Sequence, residues 1–152
     1  MAMYPPPPQA TGMPPDSGSA SGPRAGFWRR FAGTFIDGIL VGIVSGILRA
    51  VTSYGVGTSL GLVVGAVYFT FMIGSDRGQT VGQMAMGIRV IDFNGAGPIG
   101  YGRAFIRWLV SLISTIVFFL GYFWMLWDKE KQCWHDKAAN DVVVPVQYYP
   151  IN

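Results

Sequence analysis

The stretch Phe31-Ala-Gly-Thr-Phe-Ile-Asp-Gly-Ile-Leu-Val-Gly-Ile-Val-Ser-Gly-Ile-Leu48 decides the fold. It is about 18 residues long and carries one ionisable side chain, Asp37, which matches a helix crossing a hydrocarbon core of roughly 30 Å. A second run, Val56 to Ile73, is equally long and carries no charge. A linker of roughly eight residues joins the two, which predicts an antiparallel transmembrane hairpin. Composition agrees. Apolar residues make up 51% of the 152 and charged residues only 12%, against about a quarter charged in soluble domains. The fold class is therefore an all-α integral membrane protein, with lipid as the partner of its surface.

Charge sets the orientation. Arg24, Arg29 and Arg30 precede the first run and Arg49 follows it, while Arg77, Arg89, Arg103 and Arg107 follow the second. By the positive-inside rule the N-terminus is cytoplasmic and the protein belongs in the cytoplasmic membrane. The net charge of +3 comes without a basic run or an aromatic–basic repeat, so nucleic acid is excluded as a partner. The first 25 residues hold no apolar h-region, so insertion is expected to use the first apolar helix.

Three regions follow. Residues 1–26 form a proline-rich tail, with Pro5 to Pro8 in a row and Pro14, Pro15 and Pro23 after them. Such a segment is expected to be disordered. It reads as a solvated tether or as a ligand for an aromatic groove on a partner. Residues 27–146 form the membrane domain, and 147–152 a short C-terminal tail.

Within the membrane domain, Gly38, Gly42 and Gly46 recur every four residues, as do Gly57, Gly61 and Gly65. That spacing places each set on one helix stripe, where small residues let backbones approach closely in lipid. The stripes predict packing of the two helices on each other, or on another copy or another membrane protein. A third apolar run, Ala104 to Trp127, has Trp108 at its start and Trp124 and Trp127 at its end. With Trp28, Arg103 and Arg107 these read as interfacial anchors. The arginines pair with lipid phosphate or, alternatively, with Asp136 or Asp128. One full crossing fits the run, but Lys129, Lys131 and Lys137 beyond it favour a return to the cytoplasm. A break near Leu120-Gly121 would make the segment re-entrant. Both readings stand at this level. Ile88 to Ile91 and Val142 to Val146 read as short strands, with Asn94-Gly95 a turn. They can pair only on the same side of the membrane.

Asp37 is the most informative residue, because a carboxyl inside a span costs at least ~2.5 kcal/mol at the centre. It reads as a polar lock between helices, as a proton- or ion-binding carboxylate, or as an interfacial group. Other chemistry is poorly supplied. Cys133 is the sole cysteine and His135 the sole histidine, too few for a Cys/His metal cage. The loop after Gly74 lacks Gly-Lys-Ser/Thr, so no phosphate cradle is expected. No nucleophile is spaced to use His135-Asp136. The expectation is a non-enzymatic protein without cofactor or metal.

Arg30-Phe-Ala-Gly-Thr-Phe-Ile-Asp37, Gly78-Gln-Thr-Val-Gly82 running to Gly87-Ile-Arg-Val90, Arg103-Ala-Phe-Ile-Arg107, and Trp134-His-Asp-Lys137 before Val142-Val-Val144 together resemble the RDD family of bacterial membrane proteins. Each motif is weak alone, but the four stand in the family's order. The family's arginine and two aspartates fall on Arg30, Asp37 and Asp136, so the resemblance implies that these three form one constellation and that Asp136 lies near Arg30. Gln83 departs from the pattern, since relatives often carry lysine there. A transport role is often suggested for the family. The two functional expectations are thus transport of a ligand or ion, and service as a non-enzymatic accessory or scaffold subunit of a membrane complex.

Overall fold

The computed structural model describes residues 24–93, 97–117 and 119–149, and the backbone of 18–19 and 22–23. The proline run of the tail and the Asn94-Gly95 turn lie outside the described residues. Helix α1 (Phe27–Val51) and helix α2 (Tyr54–Gly74) are both long and apolar enough to cross a membrane. At 1.5 Å per residue they extend about 37 and 31 Å. The expected eight-residue linker shrinks to Thr52 and Ser53. Hydropathy falls at Arg49, but the helix runs on to Val51. Thr52 N–H donates to Leu48 O, and Ser53 Oγ accepts from Val56 N–H at 3.4 Å as the cap of α2.

The α1–α2 contact is one-sided. A Cβ on Gly57 would sit 2.5 Å from Arg49 Cα, and one on Gly61 would sit 2.7 Å from Ser45 Oγ. At Gly65 it would meet Val41 and Trp108. The α2 stripe therefore lies under the Val41–Ser45–Arg49 face of α1. The α1 stripe does not answer it: a Cβ on Gly38, Gly42 or Gly46 would meet nothing within 4 Å. Gly38 and Gly42 instead border a groove of about 330 Å³ shared with Gly61, Gly65 and Trp108.

Beyond α2 the chain makes a short helix α3 (Val81–Ala85) and strand β1 (Ile88–Asp92). Helix α4 (Tyr101–Ile116) then runs antiparallel to α2, with Tyr101 against Gly74 and Trp108 against Gly65. At 16 residues it reaches only about 24 Å. The next helix, α5 (Leu120–Phe123), continues into a 3-10 turn, Trp124–Leu126, bent 109° from α4. The break lies at Val117 to Phe119, just before the expected Leu120-Gly121, and Phe119 takes a left-handed φ of 60°. Gly121 then packs on Ser114 and Trp134, where a Cβ would have no room. Helix α6 (Trp134–Ala139) returns along α4, and strand β2 (Asp141–Pro145) ends the fold.

Strands β1 and β2 pair antiparallel, Ile88 opposite Pro145 and Asp92 opposite Asp141. Both faces of the sheet are covered. Ile88, Val90 and Val143 pack with Ala25, Ile73 and Ala104, and Ile91, Val142 and Val144 pack under Tyr149. Ala25 N–H donates to Val143 O at 2.9 Å, which ties the entry to α1 to the same sheet. The start of α1, the end of α2, the sheet and α6 therefore share one end of the hairpin. The α4–α5 segment starts from that end and is sharply bent, as a broken span or a re-entrant loop is.

Candidate functional site

The three residues of the expected constellation separate into two sites. Asp37, in the third turn of α1, faces the start of α3. Its Oδ1 accepts from Tyr68 Oη at 2.7 Å and from Gly82 N–H at 2.8 Å, and its Oδ2 accepts from Thr80 Oγ1 at 2.5 Å. The motif Gly78-Gln-Thr-Val-Gly82 builds this receptor. Gly78 has φ +60°, and a Cβ there would strike Val90 O at 2.2 Å. Gln79 Nε2 holds Ile88 O at 2.8 Å. Thr80 and Gln83 form a reciprocal capping box over the first turn of α3. Gly82 lies so close to α1 that a Cβ would come 2.0 Å from Gly33 O. Gly33 is one turn before Asp37, so the same face supplies the backbone contact and the carboxylate. Among the described residues no cation is within ion-pair distance of Asp37.

Arg30 turns elsewhere. Its guanidinium donates to Asp136 Oδ2 at 2.6 Å, to Lys131 O at 3.1 Å and to Cys133 Sγ at 3.3 Å. Asp136, on α6, is wholly buried. Its other oxygen accepts from Arg107 Nη1, which also donates to Asp141 Oδ1 at 2.6 Å. Cys133 N–H caps the Asp136 carboxylate at 2.9 Å. One buried cluster thus joins α1, α4, α6 and β2 through Arg30, Asp136, Arg107 and Asp141.

The expected anchors divide. Arg107 is buried and takes the alternative partner, Asp136, in place of lipid phosphate. Arg103 donates to Ala139 O at 2.6 Å, to Asn140 O and to Asp92, so it closes the C-terminal end of α6. Both lie on the first turns of an apolar helix, as lipid anchors do, and burial alone distinguishes them. Trp108 packs inward against α2 and stacks on Phe105. Trp124 packs on Trp127 and Trp134. Trp28 and Trp127 are exposed. Three partners were not foreseen: Tyr68, Thr80 and Asp141. Of these Thr80 lies within the Gly78-Gln-Thr-Val-Gly82 motif and Asp141 abuts a strand apolar on both faces, while Tyr68 gave no signal.

Electrostatics divides the two carboxyls. Burial alone would raise Asp136, but Arg107 and then Arg30 hold it well below the usual carboxylate range. Burial pushes Asp141 up, with Asp136 adding to the effect against the pull of Arg107, and its Oδ2 finds no hydrogen-bond partner. His135 is buried and pushed down to about 3, by burial first, so it is neutral. Burial likewise pushes the Cys133 thiol up to about 12. A neutral thiol beside a neutral imidazole is the reverse of an activated Cys–His pair. Cys133, His135 and Asp136 do bring one ligand atom each within 4.8 Å of one another. However, both Asp136 oxygens already accept from guanidiniums, and two fixed positive charges repel a metal cation there.

Two cavities lie between the sites. One of about 190 Å³ runs from Asp37 past Phe69 and Trp108. Another of about 330 Å³ lies under Phe27, Phe31, Phe123 and Met125. They share Thr34, Gln83, Arg107, Thr115, Tyr122 and His135 as a common wall.

Comparison with known proteins places this architecture. The chain is 32% identical to the proline-rich antigen homolog of Mycobacterium tuberculosis over 69 residues, which are 45% of this chain and 29% of that protein. The proline-rich antigen of Mycobacterium leprae is 29% identical over 69 residues, 45% of this chain and 28% of that protein. The chain thus matches less than a third of the length of these mycobacterial relatives. The uncharacterized protein YxaI of Bacillus subtilis is 25% identical over 147 residues, 79% of this chain and 96% of that protein. No solved structure matches. The sequence profile of the RDD family matches residues 24–140, a range holding both carboxylate sites apart from Asp141, and the chain is a member of the RDD family.

Proposed function

We propose that the protein is a non-enzymatic accessory or scaffold subunit of an assembly in the cytoplasmic membrane. One observation carries this reading. Arg30, Asp37 and Asp136 are each engaged by internal partners that fix one element against another. In that arrangement they serve as clamps and not as an exposed reaction centre. The neutral Cys133 and His135 support the absence of catalysis. Orientation follows from charge. All lysines and arginines except Arg49 precede α1 or follow α2, apart from Arg29 and Arg30 in the first turn of α1. The positive-inside rule puts that end, with the proline-rich tail, in the cytoplasm. The name of the mycobacterial relatives refers to a proline-rich composition that this tail shares. The open stripe of Gly38, Gly42 and Gly46 supplies a face for another membrane helix or a second copy. Purification in a gentle detergent tests the reading: a stoichiometric partner should co-purify, and removal of residues 1–25 should weaken it. Recovery of the bare chain alone refutes it.

A second reading, transport of a ligand or ion, draws on one observation. Asp37 is a carboxylate inside a span with no cationic partner among the described residues, and it borders the cavity of about 190 Å³. Two full spans and a bent third segment cannot enclose a pathway alone, so this reading requires oligomers. Proteoliposomes should then show pH-dependent flux that Asp37→Asn abolishes. Flux equal to that of empty liposomes ends this reading.

A further inference from the structure

The cavity of about 330 Å³ beside Phe27 and Met125 has two arginines in its wall, Arg30 and Arg107, and among the described residues no carboxylate. Arg107 spends only Nη1 on the ion cluster, donating to Asp136 and to Asp141 Oδ1. Its Nε and Nη2 donate to no described group, and both keep accessible surface, unlike the sealed Nδ1 of His135. Together they form the side-on edge of the guanidinium, whose parallel N–H groups fit the two oxygens of a carboxylate. Arg30 likewise uses Nη1 and Nη2 on Lys131 O, Cys133 Sγ and Asp136 and leaves Nε unused. Charge points the same way. Arg107 and then Arg30 keep Asp136 ionised against its burial, while burial pushes Asp141 up toward its neutral form. The cluster then holds two positive charges against one negative, and an unpaired buried charge is costly. The rest of the wall is largely apolar. Phe31, Phe119 and Phe123 line it and are 53%, 52% and 43% exposed, so the cavity opens between them on the surface that faces lipid.

We propose that this cavity binds a single-chain lipid anion with a carboxylate head, of the long-chain fatty acid class, whose two oxygens take the free edge of Arg107 and whose chain leaves between Phe31, Phe119 and Phe123. The volume is at the small end of ligand pockets, which suits one head and its first methylenes, with the rest of the chain in the bilayer. A monoanion matches the single uncompensated charge, whereas a phosphomonoester of nearly two charges exceeds it. A neutral head leaves that charge unbalanced.

The full chain is placed in phosphatidylcholine nanodiscs in alkaline buffer, which ionises the probe, and is photolabelled with a diazirine-bearing tetradecanoic acid. Labelling should saturate and map to the two aromatic segments of the wall, Phe27 to Thr34 and Phe119 to Met125. Unlabelled tetradecanoate should compete roughly tenfold better than its methyl ester, which has the same chain without the charge. Thr34 is exposed and lines the cavity outside the ion cluster, so Thr34→Trp should fill the space and cut the labelling roughly tenfold at an unchanged melting temperature. Arg107→Lys should keep a charge beside Asp136 but lose the side-on edge, and with it the preference for acid over ester. Equal competition by acid and ester in the wild type means partitioning by the chain alone and overturns the proposal. Undiminished labelling of Thr34→Trp overturns it too, and so does a full acid preference in Arg107→Lys. Labelling displaced by phosphatidylglycerol in the nanodisc, or by acetate, as well as by tetradecanoate would assign the edge to a bilayer phosphodiester or to a soluble anion, and would likewise overturn it.

Discussion

Replacing Asp136 with asparagine tests the clamp most directly, because the side chain keeps its volume and loses its charge. Asp136 is fully buried and accepts from Arg30, Arg107 and Cys133 N–H. The side chains of Arg30 and Arg107 are only 9% and 7% exposed. Without the charge of Asp136, two guanidiniums remain in the interior against Asp141, whose own carboxyl favours the neutral form. Removing one partner of a buried pair costs about 3–5 kcal/mol, which at 1.4 kcal/mol per decade is an increase of roughly a hundred- to a few-thousandfold in the open population. Cys133 makes the assay simple. It is the only thiol and is 1% exposed, so a fluorogenic maleimide reacts only when α6 leaves its place. The labelling rate of Asp136→Asn in detergent at fixed pH should rise by that factor. Loss of the negative neighbour also makes the thiol itself more acidic, so a denaturant titration followed by near-UV circular dichroism gives an independent measure. The double variant Arg30→Gln/Asp136→Asn should be less destabilised than the sum of its singles, since the charges remove each other's penalty. A labelling rate within about threefold of wild type, with additive singles, would refute the clamp.

The remaining predictions concern other parts of the fold. His135 has its folded-state value pushed down to about 3, below the ordinary value near 6.5. The unfolded chain therefore binds the extra proton first, and the contribution of His135 is full above pH 6.5 and lost progressively as pH falls toward 3. Melting curves across that window should show the loss, and His135→Phe should flatten the part between pH 6.5 and 5, where few carboxyls titrate. Gly82→Ala should be strongly destabilising, since its Cβ would lie 2.0 Å from Gly33 O with backbone on both sides; a melting temperature unchanged from wild type would contradict the described approach of α1 and α3. Gly42→Leu should leave the monomer's melting temperature unchanged, because nothing lies within 4 Å of a Cβ there, yet it should lower any oligomer or complex seen by cross-linking. Gly61→Leu, facing Ser45 at 2.7 Å, should destabilise the monomer itself.

The parts of the fold that hydropathy governs were legible. Lipid demands long apolar helices, and α1 and α2 are written as such runs. The two strands were legible because Ile88 to Ile91 and Val142 to Val146 are short and rich in β-branched residues, and their pairing showed both to lie on one side. Partner choice was legible only in part, since Asp136 stood as one alternative beside lipid phosphate. Arg103 and Arg107 sit four apart at the head of an apolar helix, which is also the pattern of lipid anchors. What separates them from anchors is the return of α6, a tertiary event set by the break at Val117 to Phe119. Arg30 and Asp37 stand seven residues apart on one helix face, and the family resemblance implied one constellation. The neighbours differ along that face: α3 docks at Gly33 and Asp37, while α6 docks one and a half turns earlier. Periodicity reports the face and cannot report which element lies over each turn.

The first three turns of α1 thus act as a hub. Arg29 donates to Met86 O and Gly87 O at the end of α3, Arg30 holds α6, and Asp37 holds the start of α3. The same hub is where the tail joins the domain. Ala25 N–H is bonded to Val143 O, and Arg24 pairs with Glu130 at 3.1 Å. A load on the tail therefore falls first on β2 and on the loop before α6, the elements that Asp136 and Asp141 fasten to α1 and α4. A partner that pulled Ala25 away from β2 would expose the Val143 carbonyl and loosen the support of Asp141.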